Sequence, residues 1–293
     1  MAFVRDGKLD KDSLLEAQRL SARAGYRMTF LELELHDWDL KQKRDRLVGC
    51  SLTGWQDMIN ATKMTRQEEI QLLKELKEMA HKAIEEYSSQ LGTEKSLLIT
   101  TVKPEGTLSQ LPTVSSGVHY SHSPYFIRRV RVNAQDPVLK VCEELGYPIF
   151  PEVGQDIKTA ITKVVEFPVK SPEGITKYDI SAIEQLENYK MFMEHYVDHN
   201  CSITVHVRNN EWDEVEQWMW DNWDIVIGIS FLALDDSFYE LLPYESITKE
   251  EYEIRKAKMR TFIPSLISKY ETQMIELEDV VDTECTSGAC PLK

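Results

Sequence analysis

The sequence predicts an α/β fold, and three observations support that class. In several segments apolar residues recur every three or four positions, which is typical of amphipathic helices. Other segments are short, apolar and rich in β-branched residues, which is typical of buried strands. The two kinds of segment alternate along the chain, and this alternation predicts parallel βαβ units in a layered or barrel fold.

The clearest helical pattern covers residues 65–91, where apolar residues recur at spacings of three and four from Ile70 onward. Thr65 and Glu68 have the spacing of a capping box, which predicts the start of this helix. Gly92 suits its C-terminal end because glycine tolerates the left-handed conformation found there. The other predicted helices cover 11–24, 136–145, 181–198, 210–223 and 249–260.

Short apolar runs predict the strands. The run SLLITTV at 96–102 follows the long helix and replaces its period with continuous apolar and β-branched residues, which predicts a buried strand. With 293 residues, of which 42% are hydrophobic, the chain is long enough for one large domain or two smaller ones. The other predicted strands cover 125–132, 162–169, 201–207 and 225–232.

The charge balance limits the partners that the chain can bind. A net charge of -15 disfavours non-specific binding to nucleic acids and anionic membranes, whereas a local pocket of N–H groups can still hold a nucleotide. No apolar run is long enough to span a bilayer. The first residues, MAFVRDGKLDKDSLLEAQ, lack the apolar stretch of a secretory signal. We therefore expect a cytoplasmic protein that binds neither nucleic acid nor membrane.

The chain has five cysteines, and two of them lie close to its carboxyl terminus: Cys285 and Cys290. An odd number of cysteines at scattered spacing argues against a disulfide framework. The four residues between Cys285 and Cys290 are small, so the two sulfurs can meet without backbone strain. No further zinc ligands lie nearby in the sequence. The pair is either an exchange-active dithiol or two incidental terminal cysteines.

The segment KPEGTLSQLP at 103–112 directly follows the predicted strand SLLITTV. A short loop with glycine and hydroxyl residues after a strand can offer N–H and O–H groups to a phosphate. Gly106 would allow close approach, and Thr107 and Ser109 would supply hydroxyls. Residue types alone favour an ordinary polar turn, and Glu105 argues mildly against an anion site.

A second polar segment, SSGVHYSHSPYFIRRVRV at 115–132, contains two histidines and three arginines. His119 and His122 are three residues apart, but no cysteine or carboxylate completes a set with zinc-like spacing. By spacing alone, a loop that enters a strand is the better interpretation of this segment.

Taken in order, PEGTLS, SSGVHYSHSPYFIRRVR and the terminal ECTSGACP resemble the C-terminal part of the adenosylcobalamin-dependent ribonucleoside-triphosphate reductases, the monomeric class II ribonucleotide reductases. The segment RDRLVGCSLTGWQD at 44–57 is also similar to that family. Any one of these motifs is weak evidence, but the ordered set is specific, and the similarity runs along the whole chain.

The resemblance implies a fold and a reaction. The family fold is a ten-stranded α/β barrel of two half-barrels, so residues 1–273 are expected to form its C-terminal half and residues 274–293 a flexible tail. The implied reaction replaces the 2′-hydroxyl of a ribonucleoside triphosphate with hydrogen through a thiyl radical. It implies adenosylcobalamin as the cofactor and a thioredoxin-like protein as the reductant.

The resemblance also implies roles for particular residues. Cys285 and Cys290 match the tail dithiol that re-reduces the active-site disulfide after each turnover. The loop that binds the substrate phosphates matches six consecutive residues: Pro104, Glu105, Gly106, Thr107, Leu108 and Ser109. Contacts to the cobalamin cannot be matched residue by residue.

This chain departs from the family pattern at the radical cysteine, which in the family lies in a loop reading Asn-Pro-Cys-Gly/Ala-Glu. That string is absent here, and Cys50, Cys142 and Cys201 lack the neighbours that such a loop needs. We therefore expect an enzyme that is incomplete as this chain alone. A separate chain would carry the N-terminal half with the radical cysteine; a truncated product and a fragment are the alternatives.

Two other functions fit parts of the sequence. One is a non-catalytic nucleotide-binding or assembly subunit whose tail is vestigial. The other is a stand-alone thiol-disulfide protein. The absence of a C-x-x-C motif and of a thioredoxin-sized βαβ core counts against the second.

Overall fold

The structure is a computed structural model that describes residues 2–156, 158–234 and 240–271. The chain divides into two compact units, Met1–Pro124 with Ser171–Asp236 and Tyr125–Lys170 with Ser237–Lys293. Cys285, Cys290 and the predicted tail at 274–293 lie outside the described residues, so the division at residue 273 stays a prediction. No helix in the described ranges combines the length and the apolar character needed to cross a membrane.

The structure confirms most of the predicted elements, with shifted ends. The helices are α1 (Lys11–Met28), α2 (His36–Asp45), α3 (Trp55–Thr62), α4 (Arg66–Leu91), α5 (Pro137–Leu145), α6 (Ala182–His195), α7 (Trp212–Asp221), α8 (Lys249–Lys258) and α9 (Ile267–Glu271). The strands are β1 (Val4–Arg5), β2 (Lys8–Leu9), β3 (Tyr125–Asn133), β4 (Ile149–Pro151), β5 (Thr162–Lys170), β6 (Ile203–Val207), β7 (Ile229–Ala233) and β8 (Tyr244–Ser246). Short 3₁₀ turns cover Leu108–Gln110, Trp223–Ile225 and Pro264–Leu266.

The long helix α4 begins and ends where its sequence predicts. The Thr65 side chain accepts a hydrogen bond from the N–H of Glu68, and the Glu68 carboxylate accepts one from the N–H of Thr65. Gly92 ends the helix in the left-handed conformation, with φ of 64°. These two caps satisfy backbone groups that a helix leaves unpaired at its ends.

The predicted strand at 96–102 is not a regular strand. Residues 98–102 are an extended segment with two isolated parallel bridges, Cys50 to Thr100 and Val102 to Cys201. Backbone hydrogen bonds join it to residues 48–50 on one side and to residues 200–202 on the other. Each neighbour pairs over only a few residues, which is too short for a continuous ladder. Residues 99–102 are buried as predicted, whereas Leu97 is 67% exposed.

Residues 200–202 lead directly into β6, which pairs in parallel with β7, and α7 lies between the two strands in the chain. This pair is the parallel βαβ unit that the sequence predicts. Alternate residues of β6 are buried in the core that α4, α6 and α7 share. Across the described ranges the strands form no closed barrel, so the structure supports a mixed α/β fold and does not establish the predicted half-barrel.

In the second unit the prediction of parallel pairing is wrong. Strands β4, β5, β3 and β8 form one sheet in that order, and every pair in it is antiparallel. The antiparallel register places Arg129 of β3 opposite Glu166 of β5, and the two buried side chains form a hydrogen-bonded ion pair at 2.8 Å. A pattern of apolar residues carries no information on strand direction, whereas this cross-strand charge pair stabilises one register.

The other two arginines of the segment 115–132 also have partners within the second unit. Arg131 pairs with Glu152, with an Nη2–Oε1 distance of 3.0 Å, and the guanidinium of Arg128 lies 4.4 Å from the ring centre of Tyr244. The arginine cluster of this motif therefore belongs to the packing of the sheet.

One carboxylate in the first unit holds the extended segment 98–102 in place. Asp198 accepts hydrogen bonds from the N–H groups of Ile99 (3.0 Å) and Thr100 (3.2 Å), and it pairs with Lys77 and His81 of α4 at 2.9 and 2.8 Å. Burial alone would raise the pKa of Asp198, but hydrogen bonds from His81, Lys77 and Ile99 outweigh it and hold the pKa well below its usual range.

Because this pKa is lower in the folded chain than in the unfolded one, the contribution of Asp198 is present above a pH of about 4 and is lost as the pH falls through the folded pKa. Asp198→Asn should lower the free energy of unfolding by about 1–3 kcal/mol at pH 7, and the deficit should shrink in acid. Urea unfolding at several pH values measures both. The exposed control Asp224→Asn should cost little, and an equal deficit at every pH would contradict this assignment.

Candidate functional site

The predicted phosphate loop, Pro104–Ser109, begins at the carboxyl end of the extended segment 98–102. This is the edge of a parallel arrangement at which α/β proteins usually bind ligands. Glu105 has a positive φ of 55°, and Thr107 is in the right-handed region with φ of -96° and ψ of -48°. The N–H of Ser109 closes the loop by donating to the carbonyl of Glu105 at 3.0 Å.

Three consecutive N–H groups of this loop are available to a ligand. Those of Gly106, Thr107 and Leu108 donate no hydrogen bond to any described residue, and all three residues are exposed. Concave anion-binding turns combine left-handed and right-handed residues, and the loop has one of each kind at Glu105 and Thr107. The loop therefore leaves three backbone donors open to a ligand.

The side chains of the loop differ in their access to solvent. Thr107 is exposed, whereas Ser109 is fully buried. The hydroxyl of Ser109 accepts a hydrogen bond from the side-chain Nε2 of Gln110 at 3.3 Å. Pro104 is exposed and Glu105 is half-buried. Of the two hydroxyls that the sequence singles out, only that of Thr107 is open to a ligand in this conformation.

The family-like motif at 44–57 lies beside the loop. The hydroxyl of Ser51 accepts a hydrogen bond from the N–H of Lys103 at 2.9 Å. Thr53 accepts a second one from the N–H of Gly117 at 3.0 Å. The start of α3 is joined to the same stretch, because the N–H of Gly54 donates to the carbonyl of Ser115 at 2.9 Å. Two segments that are about 60 residues apart in sequence thus form one continuous support under the loop.

Gly117 lies in close contact with the backbone of the loop. A Cβ atom at this position would lie 2.8 Å from the carbonyl oxygen of Lys103, and the residue has a positive φ of 51°. Both features require glycine. The SSGVH motif therefore packs against the start of the loop Pro104–Ser109, a contact that the sequence alone does not reveal.

The two histidines of the motif do not form a metal site. The Nδ1 of His119 lies 2.8 Å from the carbonyl oxygen of Ser116, and its Nε2 lies 2.9 Å from the N–H of Thr204. His122 packs edge-on against the ring of Tyr178. In the ranges that the structure describes, no three His, Cys, Asp or Glu side chains are grouped closely enough to hold a metal ion.

A small cavity of about 20 Å³, lined by both polar and apolar side chains, adjoins His119, Lys177 and His206, two of which the sequence does not single out. Burial lowers the pKa of Lys177 to about 8, and burial together with the nearby Lys177 charge lowers the pKa of His206 to about 4. The cavity has room for one water molecule. Buried imidazoles that stay neutral do not exchange protons at neutral pH, so the two histidines beside the cavity have a structural role.

The described cysteines are unsuited to thiol chemistry. Cys50, Cys142 and Cys201 are all buried and unpaired. Burial raises the pKa of Cys50 and Cys142 to about 11 and raises that of Cys201 further. A thiol that is protonated and inaccessible at neutral pH is a poor nucleophile. These three residues therefore behave as small apolar core residues.

Neither of two cavities in the first unit fits a corrin cofactor. Beside the water-sized cavity, the first unit has an open groove of about 410 Å³ on α7. Its Trp220 and Trp223 are 80% and 68% exposed, and Asp213 and Glu216 lie at its edge. A corrin ring with its peripheral amides and adenosyl group needs a much wider surface with matching polar groups. No residue is therefore assigned to cobalamin.

Comparison with known proteins gives a consistent result. A curated relative from Lactobacillus delbrueckii subsp. bulgaricus, named adenosylcobalamin-dependent ribonucleoside-triphosphate reductase, is 29% identical over 311 aligned positions. Proteins of the same name from Lactobacillus leichmannii and Levilactobacillus brevis are 29% and 27% identical. The chain is thus similar to these reductases along 96% of its own length. No family model matches the chain.

The reductase likeness extends to the structure. The crystal structure of a B12-dependent (class II) ribonucleotide reductase superimposes with a TM-score of 0.77 and 25% identity, over 88% of this chain and 40% of that one. The aligned relatives cover 96% of this chain, whereas the chain spans only 41% of their length. What the whole reductase does is therefore not automatically a property of this chain.

Two glycines of the site provide a matched pair for mutation. Gly117→Ala should lower the free energy of unfolding by about 1–3 kcal/mol, because the added methyl group meets backbone at a positive φ. Gly106→Ala is the control, since no atom lies within 4 Å of the place that its Cβ would take. Thermal unfolding of the two variants measures the difference. Equal stability of both would show that the turn does not pack against the loop as described.

Proposed function

We propose that this chain is the substrate-phosphate portion of an adenosylcobalamin-dependent ribonucleoside-triphosphate reductase. It would correspond to the C-terminal part of the enzyme, as the order of the motifs PEGTLS, SSGVHYSHSPYFIRRVR and ECTSGACP indicates. The observation that carries the proposal is the loop Pro104–Ser109, with three free N–H groups at the carboxyl end of a parallel segment. The homology along nearly the whole chain supports it.

The loop would bind the phosphates of a ribonucleoside triphosphate mainly through its backbone. Neutral N–H groups can hold a polyanion without a cluster of basic residues, which suits a chain with a net charge of -15. The exposed hydroxyl of Thr107 would add a side-chain hydrogen bond. Holding the phosphates fixes the position of the attached ribose, and such positioning is a large part of what a protein contributes to radical chemistry at a sugar carbon.

The remaining parts of the reaction belong to the assembled enzyme. The ribose C2′–OH bond would be replaced by C2′–H, with two thiols oxidised to a disulfide and water released. Cys285 and Cys290 would re-reduce that disulfide and would in turn be reduced by a thioredoxin-like protein. Because the three described cysteines are buried and lack the radical-loop neighbours, the radical cysteine would come from the N-terminal part of the enzyme.

Adenosylcobalamin is proposed as the cofactor of the assembled enzyme on the names of the relatives, and it would supply the radical. Neither of the two cavities described above fits a corrin, and we expect the N-terminal half to contribute most of the cofactor contacts. A cytoplasmic location remains part of the proposal. The alternative function, a nucleotide-binding or assembly subunit with a vestigial tail, shares the phosphate loop and differs in the role of the terminal cysteines.

The phosphate loop can be tested through its exposed hydroxyl. In the complete enzyme, Thr107→Ala should weaken ribonucleoside triphosphate binding by about 1–3 kcal/mol, the usual effect of losing a hydrogen bond to a charged group. Equilibrium binding measures it, with the exposed Thr159→Ala as a control outside the loop. Unchanged affinity would return residues 104–109 to the interpretation as an ordinary polar turn.

The tail separates the reductase from the assembly subunit. Cys285→Ser or Cys290→Ser should abolish turnover driven by thioredoxin, because the relay from the donor to the active-site disulfide is cut. Turnover driven by dithiothreitol should largely survive, since a small dithiol reaches the disulfide directly. Steady-state assays of the complete enzyme with each reductant compare the two. Full thioredoxin-driven turnover in both variants would favour the vestigial tail.

A further inference from the structure

The turn at residues 115–121 is held by a buried carboxylate. Asp57, the third residue of α3, is 1% exposed. Its Oδ2 accepts a hydrogen bond from the N–H of Ser115 at 2.6 Å, and its Oδ1 accepts one from the hydroxyl of Ser121 at 3.0 Å. No described lysine or arginine lies within ion-pair distance of it. The carboxylate thus holds both ends of one turn with two charge-assisted hydrogen bonds, which are stronger than neutral ones.

His119 holds the middle of the same turn from the other side. A carbonyl oxygen only accepts and a backbone N–H only donates, so Nδ1 of His119 donates to Ser116 and Nε2 accepts from Thr204 of β6. The ring is therefore neutral, and burial lowers its pKa in the same direction. Protonation would remove the bond to β6.

The turn transmits its position to the phosphate loop through direct backbone contact. Gly117, between the two anchored ends, packs so closely on Lys103 that a Cβ would lie 2.8 Å from its carbonyl oxygen and 3.6 Å from that of Pro104. Its N–H is fixed by Thr53. Because backbone atoms in contact leave no room for adjustment, a shift of the turn displaces the start of the loop.

We propose that Asp57 is a positioning residue for substrate binding, which acts with His119 by holding the 115–121 turn under the loop Pro104–Ser109. A displaced turn would therefore move the start of the loop that carries the three free N–H groups. This inference rests on the proposed function for the identity of the ligand. The coupling between the turn and the loop does not depend on the proposed function, because it is a property of this chain alone.

Hydrogen–deuterium exchange of the isolated chain tests the coupling. In Asp57→Ala, the hydrogen-bonded amides of Lys103, Ser109 and Gly117 should exchange about tenfold faster or more. The reason is that opening of the turn no longer has to break the two bonds to the carboxylate. Gln18→Met is the control, because it also loses a buried hydrogen bond, from Gln18 to Tyr196 at 2.9 Å. Peptides from α4 should exchange at the same rate in this control and in Asp57→Ala. Asp57→Asn keeps one acceptor oxygen and should give an intermediate rate.

Substrate kinetics of the complete enzyme test the functional half. Asp57→Asn should raise the KM for the ribonucleoside triphosphate about tenfold and change kcat much less, as expected when uniform binding is lost. Faster exchange in 103–117 with an unchanged KM would refute the phosphate function and leave the coupling intact. Unchanged exchange of the bonded amides of Lys103 and Ser109 in Asp57→Asn and in His119→Gln would overturn the positioning role itself. Should Asp57→Ala not fold, these two milder variants decide.

Discussion

The arrangement of the first unit depends on one constraint, the placement of the extended segment 98–102 between two parallel neighbours. Its backbone pairs with residues 48–50 and 200–202, and Asp198 fixes its start by accepting from two of its N–H groups. The loop Pro104–Ser109 begins where this segment ends. Both the location of the candidate site and the direction in which the loop leaves the sheet follow from that pairing.

Elements defined by local patterns could be predicted from the sequence. The capping box and terminal glycine of α4 depend on residues within a few positions of each other, and the structure has both as expected. The resemblance to the reductases could also be recognised from the sequence. It depends on the order of motifs along the chain and not on contacts between distant residues. The direction of β3 relative to β5 was predicted wrongly. A helix between two strands is compatible with parallel or antiparallel pairing, so the alternation of helices and strands does not decide the direction.

The support of the site could not be predicted, because its contacts join residues that are distant in the chain. Asp57 and Ser115 are 58 positions apart, and His119 and Thr204 are 85 apart. A buried aspartate in a short helix and a histidine in a polar loop have no pattern that distinguishes them from solvated residues. The sequence does indicate the segments involved, and the structure shows that two of its motifs, SLTGWQD and SSGVHYS, form one support.

The central claim is that the loop Pro104–Ser109 binds substrate phosphates. The most direct measurement is an experimental structure of the complete enzyme, this chain with its N-terminal half, with a ribonucleoside triphosphate bound. We expect phosphate oxygens within about 3.2 Å of the nitrogens of Gly106, Thr107 and Leu108. Phosphates bound elsewhere, with these N–H groups facing solvent, would contradict the claim.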